Sequence, residues 1–174
     1  VVYGNGMFVA IAGGQYNSTV AAYSTDGITW TETTLPVSAG WKYLMYGGDK
    51  FVAIANFGKI VYSMDGISWT SSSMLSQTWY AAGYGNGRFS TIGGNGSVAY
   101  SDDGINWSHH QTFSGSNSNF TSMTYGDGRF MSVRRNSTYI ARSSNGNSWG
   151  TSSVLPLSAD WISVAYGNGT FVTI

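Results

Sequence analysis

The side chains able to do chemistry are few, and their spacing limits what they can do. Arg134, Arg135 and Arg142 fall within one short stretch. Planar guanidiniums at such a spacing could clamp a carboxylate or a phosphate, or one could cover an aromatic ring while the others stay solvated. Arg88 and Arg129 stand beside Asn-Gly and Asp-Gly turns and are expected to be solvated. His109 and His110 are adjacent, so on a strand they point to opposite faces, and without a cysteine or a third histidine no metal site is expected. The carboxylates are Glu32 and seven aspartates. Asp26, Asp65 and Asp103 recur in one motif, Asp49 and Asp127 sit in hairpin turns, and Asp102 and Asp160 remain. No nucleophile and base can be paired among them, so no catalytic residue, no cofactor and no enzymatic activity are expected.

The elements that must carry these residues are strands. The chain has 174 residues, 16 % aromatic, with 24 Gly and two Pro, a mix that suits short strands and tight turns. Charged residues are 9 %, acids balance bases, and the net charge is zero. That argues against a nucleic-acid partner, which needs a basic excess. No apolar run is long enough for a membrane-spanning helix, so no membrane insertion is expected. Cysteine is absent, which removes disulfides and thiolate metal sites.

The chain repeats. Tyr-Gly-Asn/Gly/Asp-x-x-Phe begins at Tyr3, Tyr46, Tyr84, Tyr125 and Tyr166, at spacings of 43, 38, 41 and 41. Ser-x-Asp/Asn-Gly-x-x-Trp ends at Trp30, Trp69, Trp107 and Trp149, and an aromatic (Trp41, Trp79, Phe120, Trp161) stands five residues before each later Tyr. The repeats run over about 1–40, 41–78, 79–119 and 120–160, with a partial fifth at 161–174, all in one repeat domain, 1–174. Each unit reads as four strands: A, as in 161–166; B, as in 8–11, 51–54, 89–92 and 130–133; C, as in 59–63; D, as in 67–71. The third position of strand B stays small (Ala10, Ala53, Thr91, Ser132), as a sheet packed on both faces requires. A four-stranded sheet of this size cannot hide both faces alone; stacking repeats side by side does. The expected fold is all-β, a β-propeller of four-stranded antiparallel blades, four plus a partial fifth, as an excerpt or an open arc.

Three segments, Ser24-Thr25-Asp26-Gly27-Ile28-Thr29-Trp30, Ser63 to Trp69 and Ser101 to Trp107, resemble Asp-boxes, the bacterial neuraminidase (BNR) repeats of sialidases, sortilin-type receptors and photosystem-assembly-factor-like propellers. The fourth, Ser143 to Trp149, has Asn145 for Asp and should hold the same turn. With Tyr-Gly-Asn-Gly-x-Phe, the chain also resembles repeats of phage tail and bacterial surface proteins, which implies an extracellular, cell-surface or virion setting. In such boxes Asp26, Asp65, Asp103 and Asn145 are structural, and Trp30, Trp69, Trp107 and Trp149 pack between sheets, each burial contributing roughly 2–3 kcal/mol. Sialidases use three arginines from different blades with a Tyr–Glu pair and an Asp; here the candidate arginines cluster in one repeat and the single Glu is Glu32.

Function is therefore expected at the connections that vary among repeats. These are the B–C loops 13–19, 56–58, 93–96 and 134–138, and the D–A loops near 31–40, 70–78, 108–119 and 150–160. Candidate ligand-binding residues are Tyr16, Asn17, Phe57, Arg134, Arg135 and Asn136, with Tyr139 able either to stack on a sugar or to begin strand C. The expected role is non-catalytic binding of a glycan or a protein partner; the alternatives are a fragment of a sialidase-like glycoside hydrolase and a structural spacer. Residues 1–11 match 164–174 almost position for position, so another copy or another chain completing the propeller is a further expected partner.

Overall fold

The computed structural model describes residues 1–14, 16–112 and 119–174. Among them the strands form four four-stranded antiparallel sheets and one hairpin. The first blade is β1 (Val2–Gly4), β2 (Met7–Ile11), β3 (Ser18–Ser24) and β4 (Thr31–Ala39); the second is β5 (Trp41–Gly47), β6 (Lys50–Ala55), β7 (Lys59–Ser63) and β8 (Thr70–Ser73). The third is β9 (Trp79–Gly85), β10 (Arg88–Gly93), β11 (Ser97–Ser101) and β12 (Ser108–Gln111); the fourth is β13 (Phe120–Gly126), β14 (Arg129–Arg134), β15 (Tyr139–Ser143) and β16 (Gly150–Ser153). The hairpin is β17 (Val164–Gly167) with β18 (Thr170–Thr173). Two compact units result, Val1–Gln77 with Asp103–Trp107, and Thr78–Asp102 with Ser108–Ile174.

Inside the first unit, Ala21, Leu35 and Ala39 of the first blade bury against Trp41, Ala53, Ala55 and Val61 of the second, with Trp69 packed on the cluster. The ring of Tyr46 lies over Gly4, where any Cβ would overlap it. Thr33 Oγ1 donates to the Ile67 carbonyl at 2.8 Å, and Ser72 Oγ to the Ile105 carbonyl at 2.6 Å, so each C–D turn is tied to the D strand before it. The second unit repeats the scheme. Ala81, Ile92 and Val98 meet Phe120, Met123, Phe130, Ala141 and Trp149, and a further cluster joins Val133 and Ile140 to Val164. Tyr125 lies over Gly85 and Tyr166 over Gly126 in the same way. Of the small positions of strand B, Ala53, Thr91 and Ser132 are buried while Ala10 is half-buried, and the hydroxyls of Thr91 and Ser132 donate to the carbonyls of Ala81 and Ser122, both at 2.8 Å.

Several boundaries differ from expectation, and the C–D turn explains most of them. Strand D was expected from 67, but β8 starts at Thr70. Asp65 Oδ1 accepts the amides of Ile67 (2.9 Å) and Ser68 (2.7 Å), which holds those residues in the turn. The stretches read as the starts of D–A loops are therefore strand D. In the first blade the expected loop 31–40 is a nine-residue strand, because Leu35 and Ala39 bury on one side of a run rich in β-branched residues. Loop residues 113–118 lie outside the described residues. In the hairpin, strand A starts at Val164 rather than 161, although the Ile162 amide still donates to the Ile174 carbonyl at 2.8 Å. Tyr139 begins strand C. Trp149 is buried, but Trp30, expected to pack between sheets, is 38 % exposed.

Candidate binding site

The B–C loops of the first two blades carry three of the candidate residues. In the first blade the loop is pinned by Trp41, whose Nε1 donates to the Ser18 carbonyl at 2.9 Å, while the Gly14 amide donates to the Trp41 carbonyl at 2.9 Å. In the second blade the loop is a single 3-10 turn, Asn56–Gly58. Between them lies a cleft of about 210 Å³ lined by Gly14, Asn17, Gly40, Asn56, Phe57 and Lys59 among others. Gly40 closes one wall, where a Cβ would stand 2.8 Å from the Gly14 carbonyl oxygen. Lys59 Nζ donates to the Ser38 carbonyl at 3.1 Å, which places a cation at the rim. Tyr16, 80 % exposed, stands next to Asn17 in the chain.

Phe57 is the anomaly. Its ring is 71 % exposed, and its backbone is left-handed, φ 60° and ψ 29°. The third blade places Asn95 at the same turn position (φ 54°) and the fourth Asn136 (φ 51°). Asn tolerates this region; an aromatic residue there costs on the order of 1–2 kcal/mol. An exposed apolar ring in a strained backbone has no folding rationale, and such outliers concentrate at functional sites. Sequence reading picked Phe57 for its ring; the strain becomes visible only once the three loops are aligned by their turns.

Arg134, Arg135 and Asn136 belong to the fourth blade. Arg134 does not project freely: its Nε donates to Ser137 Oγ at 2.9 Å, and the guanidinium lies 5.4 Å from the Tyr139 ring centre and 6.0 Å from that of Phe120. Arg135 and Asn136 are exposed. The three-arginine cluster is not formed. Arg142 pairs with Met131 across β14 and β15, so Arg134 is three residues, roughly 10 Å, further along the sheet. Arg142 lies instead with Arg129 in a cleft of about 460 Å³ beside Asp127 and Ser144. Arg129 Nη2 pairs with Asp127 Oδ2 at 2.7 Å.

Arg88 corrects another expectation, because it is not simply solvated. Its Nε meets Asp102 Oδ1 at 2.6 Å and its Nη2 meets Oδ2 at 3.1 Å, while Nη1 donates to the Asn145 carbonyl at 2.9 Å. The guanidinium also sits 4.9 Å over the Tyr100 ring. The hydrogen bonds to Asp102 raise its pKa above the ordinary arginine value, against a smaller lowering by burial. With Ser90 Oγ bonded to the Gly146 carbonyl at 2.6 Å, Arg88 forms the seat for the fourth blade's C–D turn. The Arg129–Arg142 cleft is the same seat on the fourth blade, standing open.

The carboxylates of the repeated turns are engaged by their own backbone. Asp26 Oδ1 accepts the amides of Ile28 and Thr29 at 2.8 Å each and the Ser24 hydroxyl at 2.9 Å; its pKa falls from 3.8 to about 2, through the Ile28 amide first, then Thr29 and the Ser24 hydroxyl. Asp65 is held the same way: burial raises its pKa, and the amides of Ser68 and Ile67 with the Ser63 hydroxyl outweigh that and lower it. Asp103 Oδ1 accepts the amides of Ile105 and Asn106 at 2.8 and 2.7 Å. Asn145 Oδ1 takes the same bonds from Asn147 (3.1 Å) and Ser148 (3.0 Å). Among the described residues no group of three His, Asp or Glu side chains converges to hold a metal ion.

Comparison with protein-family models gives no match, and comparison with curated proteins gives none either. Solved structures do match. Virginiamycin B lyase from Staphylococcus aureus superposes with a TM-score of 0.75 at 13 % identity, over 89 % of this chain and 55 % of that one. YCF48 bound to D1 peptide gives 0.60 at 16 % identity, over 84 % and 51 %. BamB from Moraxella catarrhalis gives 0.58 at 4 % identity, over 89 % and 51 %. The chain thus spans about half the length of these structures. At such identities the likeness concerns the fold alone, and the fold is a β-propeller, represented here by four blades and a partial fifth.

Proposed function

We propose that this chain is a non-catalytic binding module that takes a glycan in the cleft between the B–C loops of its first two blades. The observation that carries this reading is Phe57, an exposed ring held at φ 60° on the rim of that cleft. A flat apolar ring beside the amide of Asn17 and the ammonium of Lys59 suits a sugar, whose C–H face stacks while its hydroxyls take the polar groups. Tyr16 supplies a second exposed ring from the neighbouring loop. The non-catalytic reading draws support from the carboxylates: Asp26, Asp65 and Asp103 hold turn amides, Asp102 holds Arg88, and Asp127 holds Arg129. The repeated Ser-x-Asp/Asn-Gly turns favour kinship with BNR and Asp-box repeats, and hence a surface or virion setting such as a phage tail. Arg135 and Asn136 offer a separate polar patch to a protein partner. YCF48, which has a peptide-bound structure, illustrates that second use of the fold.

A glycan array followed by titration calorimetry tests the reading. The chain should retain at least one glycan, and Phe57→Asn should abolish retention while the melting temperature holds or rises. Retention by Phe57→Asn equal to that of the parent, or no glycan retained at all, would overturn it.

A further inference from the structure

We infer that the sugar taken by the Phe57 cleft is an acidic one, bearing a carboxylate or a sulfate that the Lys59 ammonium meets. The inference rests on the glycan reading of the cleft and narrows it. The chain carries no net charge, yet within the first unit the charges are sorted between the two ends of the sheets. Asp26, Asp65 and Asp103 sit in C–D turns, and Asp49 sits in the A–B turn between β5 and β6. Glu32 is the second residue of β4, opposite Ala22, and so lies at the C–D end of that strand. All carboxylates of the unit are thus at the end away from the B–C loops. Strand β7 alone, Lys59–Ser63, separates the ends by roughly 13 Å. That exceeds the roughly 8 Å over which exposed charges act at physiological salt. The cations divide. Lys50 stays with the acids, its Nζ donating to the Gly48 carbonyl at 3.3 Å. Lys59 opens β7 just after the Phe57 turn, and Lys42 follows Trp41 at the start of β5; both are exposed. None of the residues lining the cleft is acidic. The end of the first unit that holds the cleft is positive.

Lys59 is placed to use that charge. Its bond to the Ser38 carbonyl, 3.1 Å, steadies the ammonium at the rim and uses one of its donors, leaving the others for a ligand. A carbonyl supplies no counter-charge, and no ion pair among the described residues involves Lys59. An anionic group on the ligand would give the ammonium its counter-ion through a charge-assisted hydrogen bond, the stronger kind. Asn56 lines the same cleft, and its side-chain oxygen is buried without a hydrogen-bond partner. A sugar hydroxyl can donate to that oxygen, whereas a bare sulfate cannot. The exposed ring of Phe57 asks for an apolar sugar face, Asn56 for a hydroxyl and Lys59 for an anion, and an acidic sugar supplies all three.

Matched pairs of glycans that differ only in charge test this by titration calorimetry: uronate oligosaccharides against their carboxyl-reduced forms, and sulfated against desulfated ones. The acidic member of at least one pair should bind and its neutral partner should bind about tenfold or more weakly, with affinity falling as salt rises. Which pair responds tells carboxylate from sulfate. Lys59→Met should lose the acidic glycan by about tenfold or more, and Lys59→Arg, which keeps the charge, should retain it. Lys50→Met removes the same charge at the far end of the unit and should bind as the parent does. Sodium sulfate alone should give no comparable binding. Equal affinity for acidic and neutral members, or undiminished binding by a Lys59→Met variant whose melting curve shows it folded, would overturn the inference. Either result, with binding still lost in Phe57→Asn, would leave the glycan reading standing. Binding lost in neither Lys59→Met nor Phe57→Asn would remove both.

Discussion

The ring of Tyr125 occupies the space that a side chain on Gly85 would need, since a Cβ there would overlap Cγ, Cδ2 and Cβ of the tyrosine. Both residues lie in strand A of successive sheets, so neither can retreat without moving a β-ladder. Gly85→Ala should therefore destabilise the chain by about 1–3 kcal/mol through overpacking. Gly150→Ala is the control: nothing lies within 4 Å of that Cβ position, and its effect should stay within about 0.5 kcal/mol. Thermal melts of the two variants beside the parent would settle the contrast; equal midpoints for Gly85→Ala and Gly150→Ala would mean that the interlock carries no packing constraint.

Acid should weaken the fold through the repeated turns. The Asp26 carboxyl is held at about 2, below its ordinary 3.8, and Asp65 is lowered in the same direction. Between those values the unfolded chain binds more protons than the folded one, so the stabilisation is present above pH 3.8 and is lost as pH falls toward 2. Asp26→Asn and Asp65→Asn should keep the fold, because Asn145 makes the same turn in the fourth blade, and together they should flatten the acid limb of the stability curve. Denaturant titrations from pH 5 to pH 2 on parent and double variant measure this. An unchanged slope would assign acid sensitivity to other carboxylates.

The ion pair between Arg88 and Asp102 offers a third test. It is bidentate, and Arg88 is also tied to the Asn145 carbonyl and the Tyr100 ring. Asp102→Ser copies Ser144, which stands at the matching position in the fourth blade. Because Asp102 is largely solvated, the loss should be at most about 1 kcal/mol and should shrink in high salt. Arg88→Ala should cost more than Asp102→Ser, since it also removes the carbonyl bond and the ring contact. Equal losses would mean that the pair alone, and not the seat, fixes Arg88.

The repeat, its four strands and its hairpin turns were legible in the sequence because each rests on a local pattern. Tyr-Gly-Asn-Gly-x-Phe and Ser-x-Asp-Gly-x-x-Trp specify turns through residues that adopt or cap them, and such chemistry acts within seven residues. The roles of the arginines were not legible. Arg88 and Arg129 share one sequence context, yet one completes a seat filled by the following blade's turn and the other lines an empty seat. Arg134 and Arg142 are eight positions apart and read as one cluster, but the turn between β14 and β15 places them on different rungs of the sheet. What separates these residues is a contact between blades, which no local pattern encodes. Phe57 was legible as an aromatic and not as a strained one, because the strain is a property of the turn.

That strain supports a last prediction, the converse of the binding test. If the left-handed turn position is disfavoured for an aromatic residue, Phe57→Asn should stabilise the chain by up to about 1 kcal/mol, and Asn95→Phe should destabilise the third blade by a similar amount. Both turns have nearly the same backbone, φ 60° and ψ 29° against φ 54° and ψ 27°, so the two changes exchange residues between equivalent sites. Burial cannot account for the difference, because Phe57 is 71 % exposed. Chemical denaturation of both variants gives the two free energies. If Phe57→Asn destabilises instead, Phe57 supports the fold through contacts with its surroundings, and the case for keeping a strained ring at the cleft for the sake of a ligand falls with it.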